Sequence, residues 1–349
     1  MDQEYTPGWY PVAQSAQLRR GQVRAIDVCG RQLVLFRTES GRVAVVDKYC
    51  AHQRTSLATG SVQGENLRCR FHGWQYDTRG RCVRVQGCSS QLDTLEIPGG
   101  TDIRAYPARE TLGLVWLFFG DEVYYQLPSD EELFPGGKWR RVGAGDVGEI
   151  NTDCRDIMEN GVDCAHFEPV HNIRIRAARF GEVTPDKLRF QVDIRAALDE
   201  VILDGKAANL LARFGLDTYF DGTVNGTLYG PSLLFVHVDL DSRFYVPLRF
   251  ATMLSPTGPR TTREYYAAYA PVGITNPFAL LVARLFTAKL RSNLVGDKDM
   301  WHDKLPSDQA IFSQADLLPI ARYRRWFGDL GKPAQAVTPA EPPAGMRHV

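Results

Sequence analysis

Two pairs of side chains near the start of the chain could hold metal. In YCAHQRTSLATGSVQGENLRCRFHGWQYD, residues 49–77, Cys50 is followed by His52 and Cys69 by His72. Two thiolates and two imidazoles suit a tetrahedral Zn²⁺, or a [2Fe–2S] cluster with two Cys on one iron and two His on the other. Zinc modules commonly pair like ligands in one knuckle. Here each segment offers one Cys and one His, so two facing loops would bring both sulfurs to one metal and both nitrogens to another. A second set lies in MENGVDCAHFEPVHN. Asp163 and His166 would share one face of a helix. His166 and His171 stand about 140° apart around an ideal helix, so an unbroken helix could not aim both at one ion. Pro169 between them is expected to end or kink that helix and swing His171 back. Two histidines need a carboxylate to complete the facial triad of non-haem Fe(II), which leaves positions for O₂ and substrate. VGDKDMWHDK offers Asp297, Asp299 and Asp303; His302 is offset from Asp297 by about 140° and points elsewhere.

The elements that must position these groups fall into two blocks. From residue 8 to about 122 the pattern is all-β: QLVLFRT and RVAVVDKY are apolar runs split by ESG, a hairpin is expected around DTRG, and LGLVWLFFG reads as a buried strand. Residues 123–148 read as a Pro- and Gly-punctuated connector. Their GAGDVG fits G-x-G-x-x-G, but no βαβ pattern surrounds it, so a dinucleotide site is rejected and a flexible crossing is expected. From 149 to 330 a helix is expected over about 153–167. The strands LRFQVDIRA, NGTLYG, SLLFVHVDL, RFYVPLRFATML and REYYAAYAPV follow, then one long helix from Asn276 to about Lys304. KAANLLARFG is a helix or ordered loop, and 331–349 is expected to be a disordered tail. Inward residues of LRFQVDIRA, SLLFVHVDL and RFYVPLRFATML, with AANLLARFG, would line an apolar cavity; His237 is a candidate polar contact there or a satisfied strand histidine.

At 349 residues the chain can bury two cores, and its 44% hydrophobic and 23% charged residues are ordinary for a globular protein. Lys plus Arg equals Asp plus Glu at 41 each, so no global field recruits nucleic acid or an acidic membrane. The acidic start lacks a signal pattern, no apolar run is long enough to span a bilayer, and the seven cysteines suggest no disulfide framework. A reducing, cytoplasmic setting is expected. Cys29, Cys82, Cys88, Cys154 and Cys164 read as packing or surface residues.

CAHQRTSL and CRFHGWQYD together resemble the Rieske domain of ring-hydroxylating oxygenases, with Ala51 where family members often carry Pro. The resemblance runs from GWYPVA to RYRRWF. GRQLVLFRTESGRVAVVDKYCAH looks most like the 3-ketosteroid 9α-hydroxylase and cholesterol 7-desaturase branch. It implies an α+β chain: an all-β Rieske domain, then a helix-grip domain with a curved antiparallel sheet around a long C-terminal helix. It further implies a cluster on Cys50, His52, Cys69 and His72, and Fe(II) on His166, His171 and Asp297. Asp163 would bridge His72 of one chain to His166 of the next in a homotrimer, with Asn160 near the iron. The implied activity is that of a terminal oxygenase. It would use O₂ and electrons from a ferredoxin or flavin reductase, with NAD(P)H acting only through that reductase. It would hydroxylate a bulky hydrophobic, steroid-like or polycyclic substrate; desaturation, oxidative cyclisation and demethylation use the same machinery. A non-catalytic Rieske electron carrier and a zinc-stabilised ligand-binding protein are the readings of another class.

Overall fold

The computed structural model describes residues 5–86, 96–197, 219–241, 247–273, 277–306, 310–311 and 314–332. Cys88, KAANLLARFG and the expected tail beyond residue 332 lie outside them. Eleven strands come first: β1 (Gly8–Gln14), β2 (Val23–Val28), β3 (Arg31–Arg37), β4 (Val43–Asp47), β5 (Ser61–Gln63), β6 (Asn66–Arg68), β7 (Gln75–Tyr76), β8 (Cys82–Arg84), β9 (Ala105–Tyr106), β10 (Ala108–Thr111) and β11 (Leu114–Phe119). They form sheets of order β1-β11-β10, β2-β3-β4-β9 and β5-β6-β7-β8. The apolar run of β3 is explained by burial on both faces. Leu33 and Leu35 pack with Tyr10, Val115 and Leu117 on one side, while Val34 and Phe36 pack with Leu57, Leu67, Tyr76, Cys50 and Cys69 on the other. The DTRG hairpin forms as expected, with Asp77 N–H donating to Arg81 O and Gly80 N–H to Asp77 O.

A short helix α1 (Asp130–Leu133) precedes β12 (Trp139–Ile150), α2 (Cys154–Glu159) and α3 (Phe167–His171). Then come β13 (Arg174–Val183), β14 (Lys187–Ala197), β15 (Tyr219–Tyr229), β16 (Leu233–Asp241), β17 (Leu248–Gly258) and β18 (Thr261–Pro271), and the helices α4 (Pro277–His302) and α5 (Gln314–Asp329). One antiparallel sheet of order β12-β18-β17-β16-β15-β14-β13 carries α4 across its face. Ala283 and Phe286 pack on Val236, Val238, Leu248 and Ala270; Leu290 and Leu294 pack on Val147 and Tyr266. This is the expected sheet-and-helix grip. The two halves share one core, in which Leu33 and Tyr10 cluster with Leu254, Trp301 and Tyr323. Among the described residues no helix is long and apolar enough to cross a membrane.

Two expectations are corrected. GAGDVG is not a flexible crossing: residues 143–148 lie within β12, paired to β18, and β12 begins inside the expected connector. Its glycines serve packing, since a Cβ on Gly143 would sit 2.3 Å from Thr287 Cγ2 of α4, and one on Gly145 would strike the Tyr266 ring. The expected helix over 153–167 is two short ones. α2 ends at Glu159, a non-helical stretch follows, and α3 opens only after His166. Pro169 does not break α3: it occupies the first turn, where its missing N–H would have had no helical partner anyway.

Candidate metal centres and substrate cavity

The first four ligands sit on two loops built alike. Cys50 N–H donates to Thr55 O and Arg54 N–H returns to Cys50 O; Cys69 N–H donates to Trp74 O and Gly73 N–H returns to Cys69 O. Each loop turns through a left-handed residue, Arg54 at φ 57° and Gly73 at φ 70°. Cys50 and Cys69 are buried, whereas His52 is exposed and His72 half-buried. The His52 and His72 rings lie 4.5 Å apart, and Trp74 stacks flat on His52 at 4.5 Å. Tyr76 Oη lies 3.0 Å from Cys50 Sγ and accepts from Ala51 N–H at 3.1 Å. Burial, first, raises the Cys50 thiol above its ordinary pKa, with Tyr76 pulling it down. A bound cation is what would make it a thiolate.

Geometry separates the two metal readings. Around one Zn²⁺ the ligand atoms sit no more than about 4 Å apart. Among the described residues only His166, His171 and Asp297 bring three such atoms within 4.8 Å of one another; no three of Cys50, His52, Cys69 and His72 do. Sulfurs inside, nitrogens outside and a wider span fit a two-iron cluster.

The second centre is assembled from two distant stretches. His166 precedes α3 and His171 ends it, with ring centroids 5.3 Å apart. Asn172, left-handed at φ 53°, then turns the chain into β13. Asp297 comes from the last turns of α4 and puts Oδ1 3.2 Å from His171 Nε2. That oxygen is buried and has no hydrogen-bond partner, an arrangement a cation between it and His171 would satisfy. His166 Nδ1 lies 2.6 Å from Asp163 O and donates to it, leaving Nε2 free for metal. Asn160 Nδ2 stands 3.2 Å from that Nε2. Burial, first, lowers the His166 pKa, which favours the neutral, ligating imidazole. The donor set of two imidazoles and one carboxylate fits ferrous iron.

The other candidates fall elsewhere. Asp299 and Asp303 are exposed, and His302 Nε2 faces Asn151 Nδ2 at 3.0 Å. The Asp163 carboxylate is 3.8 Å from His166 Nδ1, too far for a hydrogen bond, and instead accepts from Ala165 N–H at 3.0 Å. Asp163 therefore meets His166 through its backbone carbonyl, not its carboxylate. His237 does not line the cavity. Its neighbours Val236 and Val238 do, so the histidine points to the other face of β16, where burial and Arg249 push its pKa down to about 4.

A cavity of about 190 Å³ opens over the second centre, far more than the roughly 30 Å³ share of one water. The expected strands supply Phe190, Ile194, Leu234, Val236, Val238, Phe250 and Thr252, as their alternation suggested; β15 adds Val224, and α4 supplies Phe286, Leu290 and Leu294. Sequence reasoning missed one lining residue of chemical interest, Glu264 of β18. Burial, first, and the nearby Asp297 hold its carboxyl up at about 8. Its only sequence signal was an Arg263-Glu264 pair in a strand, where one of two adjacent charges must face inward.

Buried thiolates beside surface imidazoles, and a two-His, one-carboxylate centre under an apolar cavity, define a class of protein: an iron oxygenase fed by a Rieske cluster. The comparisons agree. The Rieske [2Fe-2S] domain profile matches residues 8–106, and the 3-ketosteroid 9alpha-hydroxylase C-terminal domain profile matches residues 119–329. A cholesterol 7-desaturase of Ciona intestinalis is 26% identical over 92% of this chain and 67% of its own. The oxygenase component of a 3-ketosteroid-9-alpha-monooxygenase of Rhodococcus rhodochrous is 24% identical over 96% and 86%. Among solved structures, NdmA of Pseudomonas putida CBB5 superposes with a TM-score of 0.68 at 18% identity, covering 92% of this chain and 89% of that one. Dicamba monooxygenase bound to dicamba gives 0.64 at 17%, covering 92% and 95%. These two likenesses speak to the fold. The chain belongs to the 3-ketosteroid 9alpha-hydroxylase C-terminal domain family, and it is a Rieske terminal oxygenase that works with a separate electron donor.

Proposed function

We propose that this oxygenase oxidises a bulky, mostly apolar ring compound of steroid-like type. Cys50, His52, Cys69 and His72 hold its cluster, and His166, His171 and Asp297 its iron. The observation that carries the reading is the apolar cavity ending on a buried carboxylate oxygen that lacks a partner and two imidazoles aimed beside it. When bound, the cluster and the iron supply electrons and the activation of O₂. The chain's own residues do the rest. The Asp163 carbonyl fixes the tautomer of His166, so Nε2 faces the centre. Asn160 lies beside that nitrogen at 3.2 Å, at the edge of the position the metal would take, and Phe167 packs 4.5 Å from the His166 ring. The cavity walls hold the substrate by burial alone over most of their area.

Residues 8–122 form the cluster domain and 149–330 the catalytic one, with β12 reaching back across the intervening stretch. The surface position of His52 and His72 favours electron transfer to a neighbouring chain in a cytoplasmic homotrimer, with the Asp163 carboxylate free to meet that chain's cluster and the Asp163 carbonyl held by His166. Light scattering that gives a monomer at working concentration would remove this route. Asp163→Ala should leave both metal signals intact and abolish turnover. Hydroxylation is the default outcome, with desaturation the second reading because the desaturase relative aligns over 92% of this chain. The test is incubation of the loaded enzyme with a ferredoxin and reductase, NAD(P)H, O₂ and a panel of sterols and 3-ketosteroids. A product heavier by one oxygen atom, or lighter by two hydrogens, supports the reading. Uncoupled O₂ consumption with every panel member sinks the substrate class.

A further inference from the structure

The wall of the cavity holds one group that the metal centres leave unused. Glu264 sits on β18 between Gly148 of β12 and Leu254 of β17, and its exposure is 0%. Neither of its carboxyl oxygens has a hydrogen-bond partner. It lines the cavity with Asp297, yet it stands outside the compact group that Asp297 forms with the two histidines. Lys298, the cation that acts on it, gives its ammonium to Val147 O at 3.1 Å. Lys289 and Asn293, also at the cavity, are only half-buried.

A buried carboxyl left without a hydrogen-bond partner is costly, and more so if charged. Such a group is expected where a ligand completes it. We propose that Glu264 is the polar anchor of the substrate site, and that it takes a hydroxyl group carried on an otherwise apolar ring system. This rests on the reading of the cavity as the substrate site. A carboxylic acid has one O–H to give and one C=O to fill, and an alcohol oxygen can answer both. A ketone accepts only, a hydrocarbon does neither, and an anion would meet Asp297 nearby. Burial favours the neutral, protonated form of Glu264. An ionised Glu264 would still accept from an alcohol but could offer nothing to a ketone.

The test needs no knowledge of the natural substrate. Decalin, its ring alcohol and its ring ketone share one skeleton and can be titrated calorimetrically into the metal-loaded, full-length protein. The alcohol should bind about tenfold tighter than decalin, as one net hydrogen bond implies, and tighter than the ketone. Glu264→Leu should bring the alcohol-to-decalin ratio to about one while decalin binds as before; Glu264→Gln, with a donor and an acceptor, should keep the preference. Glu264→Leu should also melt higher than wild type, since it removes an unpaired acid. If that variant does not fold, Glu264→Met makes the same comparison. The proposal is overturned if the preference survives Glu264→Leu, if the ketone binds best, or if wild type takes up none of the three. Failure of the steroid-like reading is separable: lost turnover on the sterol panel with an intact alcohol preference would discard the substrate class and leave Glu264 its role.

Discussion

The two proposed metal centres are built in opposite ways. The first takes all four ligands from residues 50–72, on twin loops whose hydrogen bonds close locally between Cys50 and Thr55 and between Cys69 and Trp74. The second takes His166 and His171 from the two ends of one short helix, as its cap and its last residue, and Asp297 from another element 126 positions beyond His171. A local site is a property of its loops; a long-range site is a property of the packing of α4 on the sheet. The first should therefore survive most damage to the catalytic half, and the second should be lost when either its ligands or its packing is disturbed.

The largest effects test that independence. His171→Ala should cost iron affinity and turnover by more than the roughly 10–100-fold that loss of an outer-sphere partner costs, with the cluster absorption unchanged. A cluster lost together with the iron would break the comparison. Gly73→Ala probes the other side. It places a Cβ on a residue at φ 70°, so it should destabilise the cluster domain by about 1–2 kcal/mol while leaving iron uptake intact; the Gln86 side chain can swing clear. Denaturant titration followed at the cluster band measures it.

Tyr76→Phe sharpens the account of the loops. Removing the hydroxyl beside Cys50 Sγ takes a donor from the sulfur, so the cluster potential should fall, on the order of tens of millivolts, with no change in the iron. Redox titration monitored by EPR reads this directly, and an unchanged potential would leave Tyr76 a purely structural role. The smallest effect comes from His237. Its pKa is about 4 in the fold against an ordinary value of 6.5, so the unfolded chain binds more protons between those values. Stability is then complete above about 6.5 and declines as pH falls toward 4. His237→Asn should flatten that decline; an identical acid limb in both proteins would show that His237 is not its source.

The same contrast explains what the sequence reveals. Cys50, His52, Cys69 and His72 are legible because the motif is short and each loop is self-contained. His166 and His171 are legible as a pair, but the reason given by their spacing is wrong. The chain breaks at residues 160–165, ahead of both histidines, where nothing as loud as a proline marks it, and Pro169 sits harmlessly in a first turn. Asp297 stands among three equivalent-looking aspartates; only packing buries it and leaves the other two exposed. β12 hides because its glycines imitate a loop, although they make room for Thr287 and Tyr266. β13 hides because its RIRAARFGEV lies at the sheet edge, where little of it is buried. Glu264 is the extreme case: a charge in an inward strand position contradicts the hydrophobic pattern, and such contradictions are where function collects.

The most direct test of the central claim is an EPR spectrum of the anaerobically purified protein, reduced with dithionite and then exposed to nitric oxide, for wild type and His171→Ala side by side. The account predicts a Rieske signal in both and a high-spin iron–nitrosyl signal in wild type alone. A nitrosyl signal that persists in the variant would contradict the assignment of the second centre, and zinc in place of any cluster signal would contradict the first.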